Sequence, residues 1–201
     1  MSRSDGVTEA VFAMGSSFGD IDNDGYLDAY FGTGAPTYTA IVPNKLYRNN
    51  AGESLQDVTT PGRVGHIQKG HGVSFGDIDN DGDQDIFCVL GGAFEGDISR
   101  DALFLNTYEG ENNWVVLTLE GTMSNKAAIG AHVQLEIEKK NGETQKLHRW
   151  VNTGGSFGSN SLRLEIGIGT ATKINEITIR WPNKNKSIAT YNNIAINQIH
   201  H

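Results

Sequence analysis

Cysteine is almost missing from this 201-residue chain: Cys88 stands alone, which excludes an internal disulfide and a four-cysteine zinc site. A chain working outside a cell would then need another kind of brace. Cys88 falls in the apolar run Ile86 to Leu90 and is expected as a buried thiol. Proline is scarce at 4 residues while glycine reaches 25, a pairing that points to many tight turns and away from collagen or a stiff linker. No apolar run approaches the ~18 residues of a spanning helix, so no membrane span is expected. Met1 to Gly6 lacks the apolar core of a signal peptide. Positive charge is also short: 16 Lys and Arg against 24 Asp and Glu leave −8. The lysines near Lys139 and Lys184 sit beside acids and asparagines and form no basic patch, so no nucleic-acid partner is expected.

What the chain does have is a repeat. Gly15-Ser-Ser-Phe-Gly-Asp-Ile-Asp-Asn-Asp-Gly25 returns 57 residues later as Gly72-Val-Ser-Phe-Gly-Asp-Ile-Asp-Asn-Asp-Gly82. The register holds without a gap: Asp28 matches Asp85, Gly34 matches Gly91, Leu46 matches Leu103 and Asn49 matches Asn106. From Met14 to Asn50, 15 of 37 positions are identical at this offset, so one supersecondary unit occurs twice.

Each copy reads as β structure. Ala29 to Phe31, Ile86 to Leu90, Lys45 to Arg48 and Ala102 to Leu105 are short runs too brief for an amphipathic helix. After about Glu109 the repeat stops. Trp114 to Leu119 is a strand candidate, and Ala131, Val133, Leu135 and Ile137 alternate with polar residues as a half-buried strand does. Asn141-Gly142 signals a hairpin into Thr144 to Val151. Leu162 to Ile168 and Ile177 to Trp181 alternate again, and Asn193 to Ile199 reads as a last strand. The expected division is an N-terminal extended segment (1–11), two repeats (12–68 and 69–110) and a C-terminal β-sandwich-like or barrel domain (111–201).

The repeated motif carries the chemistry. Asp20, Asp22, Asp24 and Asp28 stand at positions 1, 3, 5 and 9 of a loop with Gly25 at position 6, and Asp77, Asp79, Asp81, Asp85 and Gly82 repeat them. Alternate residues of a tight turn aim several carboxylates at one point, where they repel unless a cation sits among them. Ca²⁺ accepts 6–8 oxygens in loose geometry, whereas Mg²⁺ prefers a water-rich octahedron. Position 7 should add a backbone carbonyl, from Tyr26 in one loop and Asp83 in the other. An EF-hand is excluded, because its position 12 wants Glu where this chain has Phe31 and Cys88.

The Phe-Gly-Asp steps at 18–20 and 75–77, the DxDxDGxxD loops, and the later Asn49 and Asn106 resemble FG-GAP (VCBS-type) repeats, the calcium-binding blades of integrin-type β-propellers. The resemblance covers about residues 12–108. It implies two propeller-type blades and two Ca²⁺ sites, with the loop aspartates as ligands. Asn113-Trp114, Gly121 to Lys126, Ala128 to Ala131, Gly154 to Phe157, Ile166 to Gly169 and Arg180-Trp-Pro182 resemble the ASPIC/UnbV domain, which commonly follows FG-GAP repeats in secreted proteins. The usual glycine after Trp-Pro is missing, since Asn183 and Lys184 follow. No activity is implied by that family.

No catalytic constellation competes. The six histidines (66, 71, 132, 148, 200 and 201) are scattered, and His71 stands where the first copy has Met14. The expected function is therefore an extracellular, non-catalytic, calcium-binding structural or adhesion protein. The alternative is a calcium-dependent glycan-binding module using Trp114, Trp150, Trp181, Tyr38 or Tyr108; a hydrolase accessory domain ranks below it. Asn185-Lys186-Ser187 is the only N-glycosylation sequon. A propeller closes with ~4 blades or more, so two repeats leave edges open to other chains. Val7 to Met14 and Asn193 to Ile199 are the expected donor strands of a homo-oligomer or homopolymer. Phe18 and Phe75 are expected to anchor the two loops in their blades.

Overall fold

The computed structural model describes residues 11–34, 37, 39, 41–92 and 95–201. Tyr38, Val7 and the rest of 1–10 lie outside them, so those expectations have no structural counterpart. The described residues are all β, with no helix and with four sheets, none closed into a barrel.

The first repeat forms a four-stranded antiparallel blade of β1 (Ala13–Gly19), β2 (Asp28–Thr33), β3 (Lys45–Asn50) and β4 (Ser54–Asp57), in that spatial order. The second forms a three-stranded blade of β5 (Gly70–Gly76), β6 (Asp85–Leu90) and β7 (Ala102–Phe104). The 57-residue register survives in the pairing. Ser17 pairs Tyr30 and Tyr30 pairs Leu46 in blade 1, as Ser74 pairs Phe87 and Phe87 pairs Leu103 in blade 2.

The blades stack face to face. Tyr30 and Leu46 of blade 1 meet Val73, Phe75, Ile86, Cys88 and Leu90 of blade 2 in one buried cluster. Full burial of such side chains contributes roughly 1.5–3 kcal/mol each. Cys88 is the expected buried thiol, and burial pushes its pKa up to about 12. Glycine permits the close approach of the inner strands. A side chain at Gly15 would strike the His71 carbonyl, and one at Gly32 would strike the Gly70 backbone.

The C-terminal part is a two-layer sandwich. One sheet runs β10 (Thr144–Trp150), β9 (His132–Lys139), β12 (Ala171–Arg180), β13 (Ile188–Ile194), and the other β11 (Leu164–Gly169), β8 (Asn113–Leu117), β14 (Ile199–His200). Val133, Leu135 and Ile137 of β9 and Ile174, Ile177 and Ile179 of β12 share a core with Val115, Leu117, Ile166 and Ile168 of the facing sheet. The alternation read from 131–137 is the buried face of β9, and the Asn141-Gly142 turn closes with Gly142 at φ 83°.

Two expectations are corrected. Asn193 to Ile199 is not one strand: β13 ends at Ile194 and β14 begins at Ile199. Asn193, next to the end of β13, and Asn197, between the strands, take left-handed φ values of 59° and 55°, which break the run into two strands. Phe18 is not a core anchor. It is 54% exposed, whereas Phe75 is 2% exposed. Phe75 is buried because its ring covers Gly19 of the preceding blade, and no described blade precedes Phe18.

The inner sheet edges are covered by the sandwich. Ser156 exchanges backbone hydrogen bonds with Ser16 of β1, its N donating at 2.8 Å and its O accepting at 3.3 Å. Asn160 spans both inner strands: its Oδ1 accepts from the Phe75 N at 2.9 Å and the Ser17 hydroxyl at 2.8 Å, and its Nδ2 donates to the Phe18 carbonyl at 2.9 Å. The C-terminal donor segment is likewise used within the chain, since β13 pairs β12 and β14 pairs β8.

Candidate metal centres

Each acidic loop joins the first two strands of its blade. It is held by the same hydrogen bonds at the 57-residue offset. Asp20 Oδ1 accepts from the Asp24 N at 3.0 Å, and Asp77 Oδ1 from the Asp81 N at 3.1 Å. Asp24 Oδ1 accepts from the Tyr26 N at 2.8 Å, and Asp81 Oδ1 from the Asp83 N at 3.1 Å. Asp28 takes two backbone donors, Ile21 N at 2.9 Å and Asn49 N at 2.7 Å; Asp85 takes Ile78 N at 2.9 Å and Asn106 N at 2.8 Å. The position-6 glycines carry the reversal at φ 95° and 98°, where a Cβ is disfavoured.

The loops gather different subsets of the expected ligands. Asp20, Asp22 and Asp28 bring carboxylate oxygens within 4.8 Å of one another in the first, and Asp77, Asp79 and Asp81 do so in the second. Asp24 stands beside the first group through its bond to Tyr26, and Asp85 fastens the second loop to Asn106, just past the end of β7. Asp83 is buried, and its Oδ2 accepts from the Tyr108 N at 3.3 Å. The clusters can hold a metal ion. The donors are all oxygens, and buried carboxylate oxygens remain without a hydrogen-bond partner: Asp22 Oδ1, Asp77 Oδ2 and Asp83 Oδ1. Such an atom is costly to bury unless something positive or protic faces it.

The electrostatics agree. Burial pushes the Asp20 carboxyl up to about 8 against the pull of Arg149, and it pushes Asp28 up to about 7 against its backbone donors. Asp24, Asp77 and Asp83 are raised too, burial again being the main cause. Arginine offsets part of the charge. Arg48 meets Asp22 at 2.6 Å, while the sandwich sends Arg149 to within 3.7 Å of Asp20 and Arg163 to within 3.5 Å of Asp77.

The loops also touch each other and the sandwich. Asn23 donates to the Gly82 carbonyl at 3.0 Å, and Asn106 to the Ile21 carbonyl at 2.7 Å. Gly169 N donates to the Asn23 carbonyl at 2.8 Å, Asn112 to the Asp22 carbonyl at 2.7 Å and Arg149 to the Gly25 carbonyl at 3.0 Å. The Trp114 ring fills the space beside Gly82 where a side chain would lie. These arginine and asparagine partners were missed by reading the motif alone. The clue available in sequence was Asn23 and Asn80 at position 4 of both loops, which take left-handed φ values of 56° and 62°.

Among the other residues singled out, Trp150 and Tyr108 are exposed, while Trp114 and Trp181 are partly buried. His132 and His148 lie on the exposed side of β9 and β10, with ring nitrogens 3.1 Å apart.

Fold and site together define an all-β protein in which acidic-loop blades are docked on a β-sandwich. An FG-GAP-like repeat model matches residues 20–88, and an ASPIC and UnbV model matches residues 121–201. The chain thus carries FG-GAP-like repeats followed by an ASPIC/UnbV domain. No curated protein matches it.

Proposed function

We propose that the chain is an extracellular, non-catalytic binding or adhesion module braced by two calcium ions, one in each acidic loop. The observation that carries this reading is the pair of loops itself: four hydrogen bonds recur in both, each gathers three carboxylates, and buried carboxylate oxygens are left without a hydrogen-bond partner. Asp20, Asp22, Asp24, Asp28 and the Tyr26 carbonyl would hold one ion; Asp77, Asp79, Asp81, Asp85 and the Asp83 carbonyl would hold the other. Calcium supplies the positive charge there. It adds stability because it binds the folded state and not the unfolded one. Sites of the extracellular kind, with Kd of roughly 10⁻⁴–10⁻³ M, would be filled outside a cell and largely empty inside.

Native mass spectrometry at millimolar calcium tests the reading: two bound ions are expected, and one fewer in Asp22→Ala or Asp79→Ala. Absence of bound calcium in the parent protein would overturn it.

One observation favours a second reading, calcium-dependent glycan binding. Exposed Trp150 and Phe18 line a cleft of 320 Å³ between blade and sandwich, beside the polar groups of His148, Asn152 and Ser161. An amphipathic ring next to hydrogen-bonding groups suits a sugar face. Glycan-array binding that is lost on chelation and in Trp150→Ala would support it.

A further inference from the structure

The histidines are scattered along the sequence, but the sandwich brings two of them together. His132 opens β9, and His148 lies near the end of β10. In the ladder His132 stands opposite Trp150 and His148 opposite Gln134, so the two imidazoles are diagonal neighbours. Strand alternation sends Val133, Leu135 and Leu147 into the core and turns both rings outward. The Trp150 ring packs on His132 with 4.4 Å between centroids, which holds that imidazole in place.

The His132 Nε2 and the His148 Nδ1 are 3.1 Å apart. The ring planes differ by 3° and the centroids are 5.2 Å apart, so the rings meet by their edges, through these nitrogens. Two imidazole nitrogens approach so closely only where one donates a proton to the other or both face a cation. One metal ion at the usual ~2.0–2.1 Å from each nitrogen sets them about 3.1 Å apart when the N–metal–N angle is near 100°, between the square-planar and tetrahedral values.

We propose that His132 and His148 form a surface site for a divalent transition ion of the Zn²⁺, Cu²⁺ or Ni²⁺ class, separate from the acidic loops. Imidazole suits these ions, whereas Ca²⁺ takes oxygens, so the two kinds of site select different metals. Binding exchanges one hydrogen bond for two coordinate bonds. The ring that donates in the free pair moves its proton through solvent to its far nitrogen, both near nitrogens then offer lone pairs, and no proton is lost overall. Burial, His148 and Arg180 together hold the His132 imidazole below its ordinary pKa, which favours the neutral, ligating form. Two protein ligands leave positions open for water or for a donor on a bound molecule. His148 and Trp150 also line the 320 Å³ cleft, so the ion would stand at its edge. The proposal goes beyond the calcium reading and does not depend on it.

Titration calorimetry of the full chain with Zn²⁺, in excess Ca²⁺ to compete for the acidic loops, is the test. One zinc site is expected in the parent that the double variant His132→Ala/His148→Ala lacks. His132→Ala and His148→Ala should each weaken it at least about tenfold, since loss of even an outer-shell partner costs that much. His148→Gln keeps a hydrogen-bonding side chain and should lose zinc as His148→Ala does, with a melting temperature close to the parent's. Arg180, opposite His132 on β12, opposes the charge of the ion, so Arg180→Gln should tighten binding by roughly twofold to fivefold. The terminal pair is the control: His200→Ala/His201→Ala should bind zinc at this site like the parent. Electron paramagnetic resonance with Cu²⁺ should show nitrogen splitting from two imidazoles in the parent and from fewer in either single variant. A parent that binds zinc no more tightly than the double variant would overturn the proposal. So would a folded His148→Gln chain that binds like the parent, or loss of the site in the terminal control.

Discussion

The two blades share a loop held by four equivalent hydrogen bonds, yet they live in different surroundings. Loop 1 is enclosed: Asp20, Asp22 and Asp28 are all buried, and Arg48 and Arg149 lean on it. Loop 2 is half open, with Asp79 and Asp81 exposed and Leu105 where Arg48 would be. The motif phenylalanines split the same way, one exposed and one in the core. A repeated sequence thus fixes backbone geometry, because turns and their donors are local. Burial and charge are set by neighbours, and the ends of a two-blade stack have different neighbours.

The phenylalanines test that contrast most strongly. Phe75→Ala should cost ~3–5 kcal/mol, as loss of a buried ring in a packed core does, and should lower the melting temperature accordingly. Phe18→Ala should cost under about 1 kcal/mol, since its ring is half in solvent. Equal losses, read by denaturant midpoints, would mean that the blades are not differently packed.

The shared part of the loops is tested next. Asp28→Ala or Asp85→Ala removes an acceptor that serves two backbone N–H groups, and each donor left buried and unpaired costs about 1–3 kcal/mol. Both variants should melt early even in chelator. If only calcium affinity changed, these aspartates would serve as ligands alone and not also as fasteners of the loop.

How far the sequence spoke follows from the same division. The repeat, the acidic loops, the Asn141-Gly142 hairpin and the alternating strands of the sandwich were legible, since each depends on local spacing. The inner strands β1 and β5 were not, because Gly-Ser-Ser-Phe-Gly shows no apolar alternation and owes its strand form to close packing. Phe18 was misjudged because its twin Phe75 has a neighbour that Phe18 lacks. Arg149, Arg163 and Asn160 stand more than 80 residues from the aspartates and strands they meet, and a single chain read along its length gives no sign of such pairings.

Removing calcium should act unequally with pH, mainly through loop 1. In chelator, Asp20 and Asp28 have folded values of about 8 and about 7, above the ~3.9 of an unfolded aspartate. The folded chain then holds protons that the unfolded chain has released. Their contribution is full below about pH 4 and is lost as pH rises through 7 and 8. Calcium replaces those protons, so the gain in melting temperature on adding calcium should be larger at pH 8 than at pH 6. A gain independent of pH, measured by calorimetry in paired buffers, would show that these carboxyls do not face the ion.

Arg48 gives the smallest effect and the sharpest comparison. Its Nε lies 2.6 Å from Asp22 Oδ2, and its side chain is 44% exposed, so the pair is screened and worth no more than about 1 kcal/mol. That arginine already supplies positive charge where an ion would sit, and it must yield Asp22 or share it. Arg48→Leu makes loop 1 like loop 2, where the equivalent residue is Leu105. The variant should be slightly less stable without calcium and should bind calcium at loop 1 roughly threefold to fivefold more tightly, the factor that 1 kcal/mol allows. Titration calorimetry reads both sites in one experiment. Because Asn23 donates to the Gly82 carbonyl of the other loop, tighter binding at the first site should also show as a small shift at the second. A change confined to loop 1 would mean that this hydrogen bond carries no coupling, and a weaker loop 1 would mean that Arg48 positions Asp22 and does not compete for it.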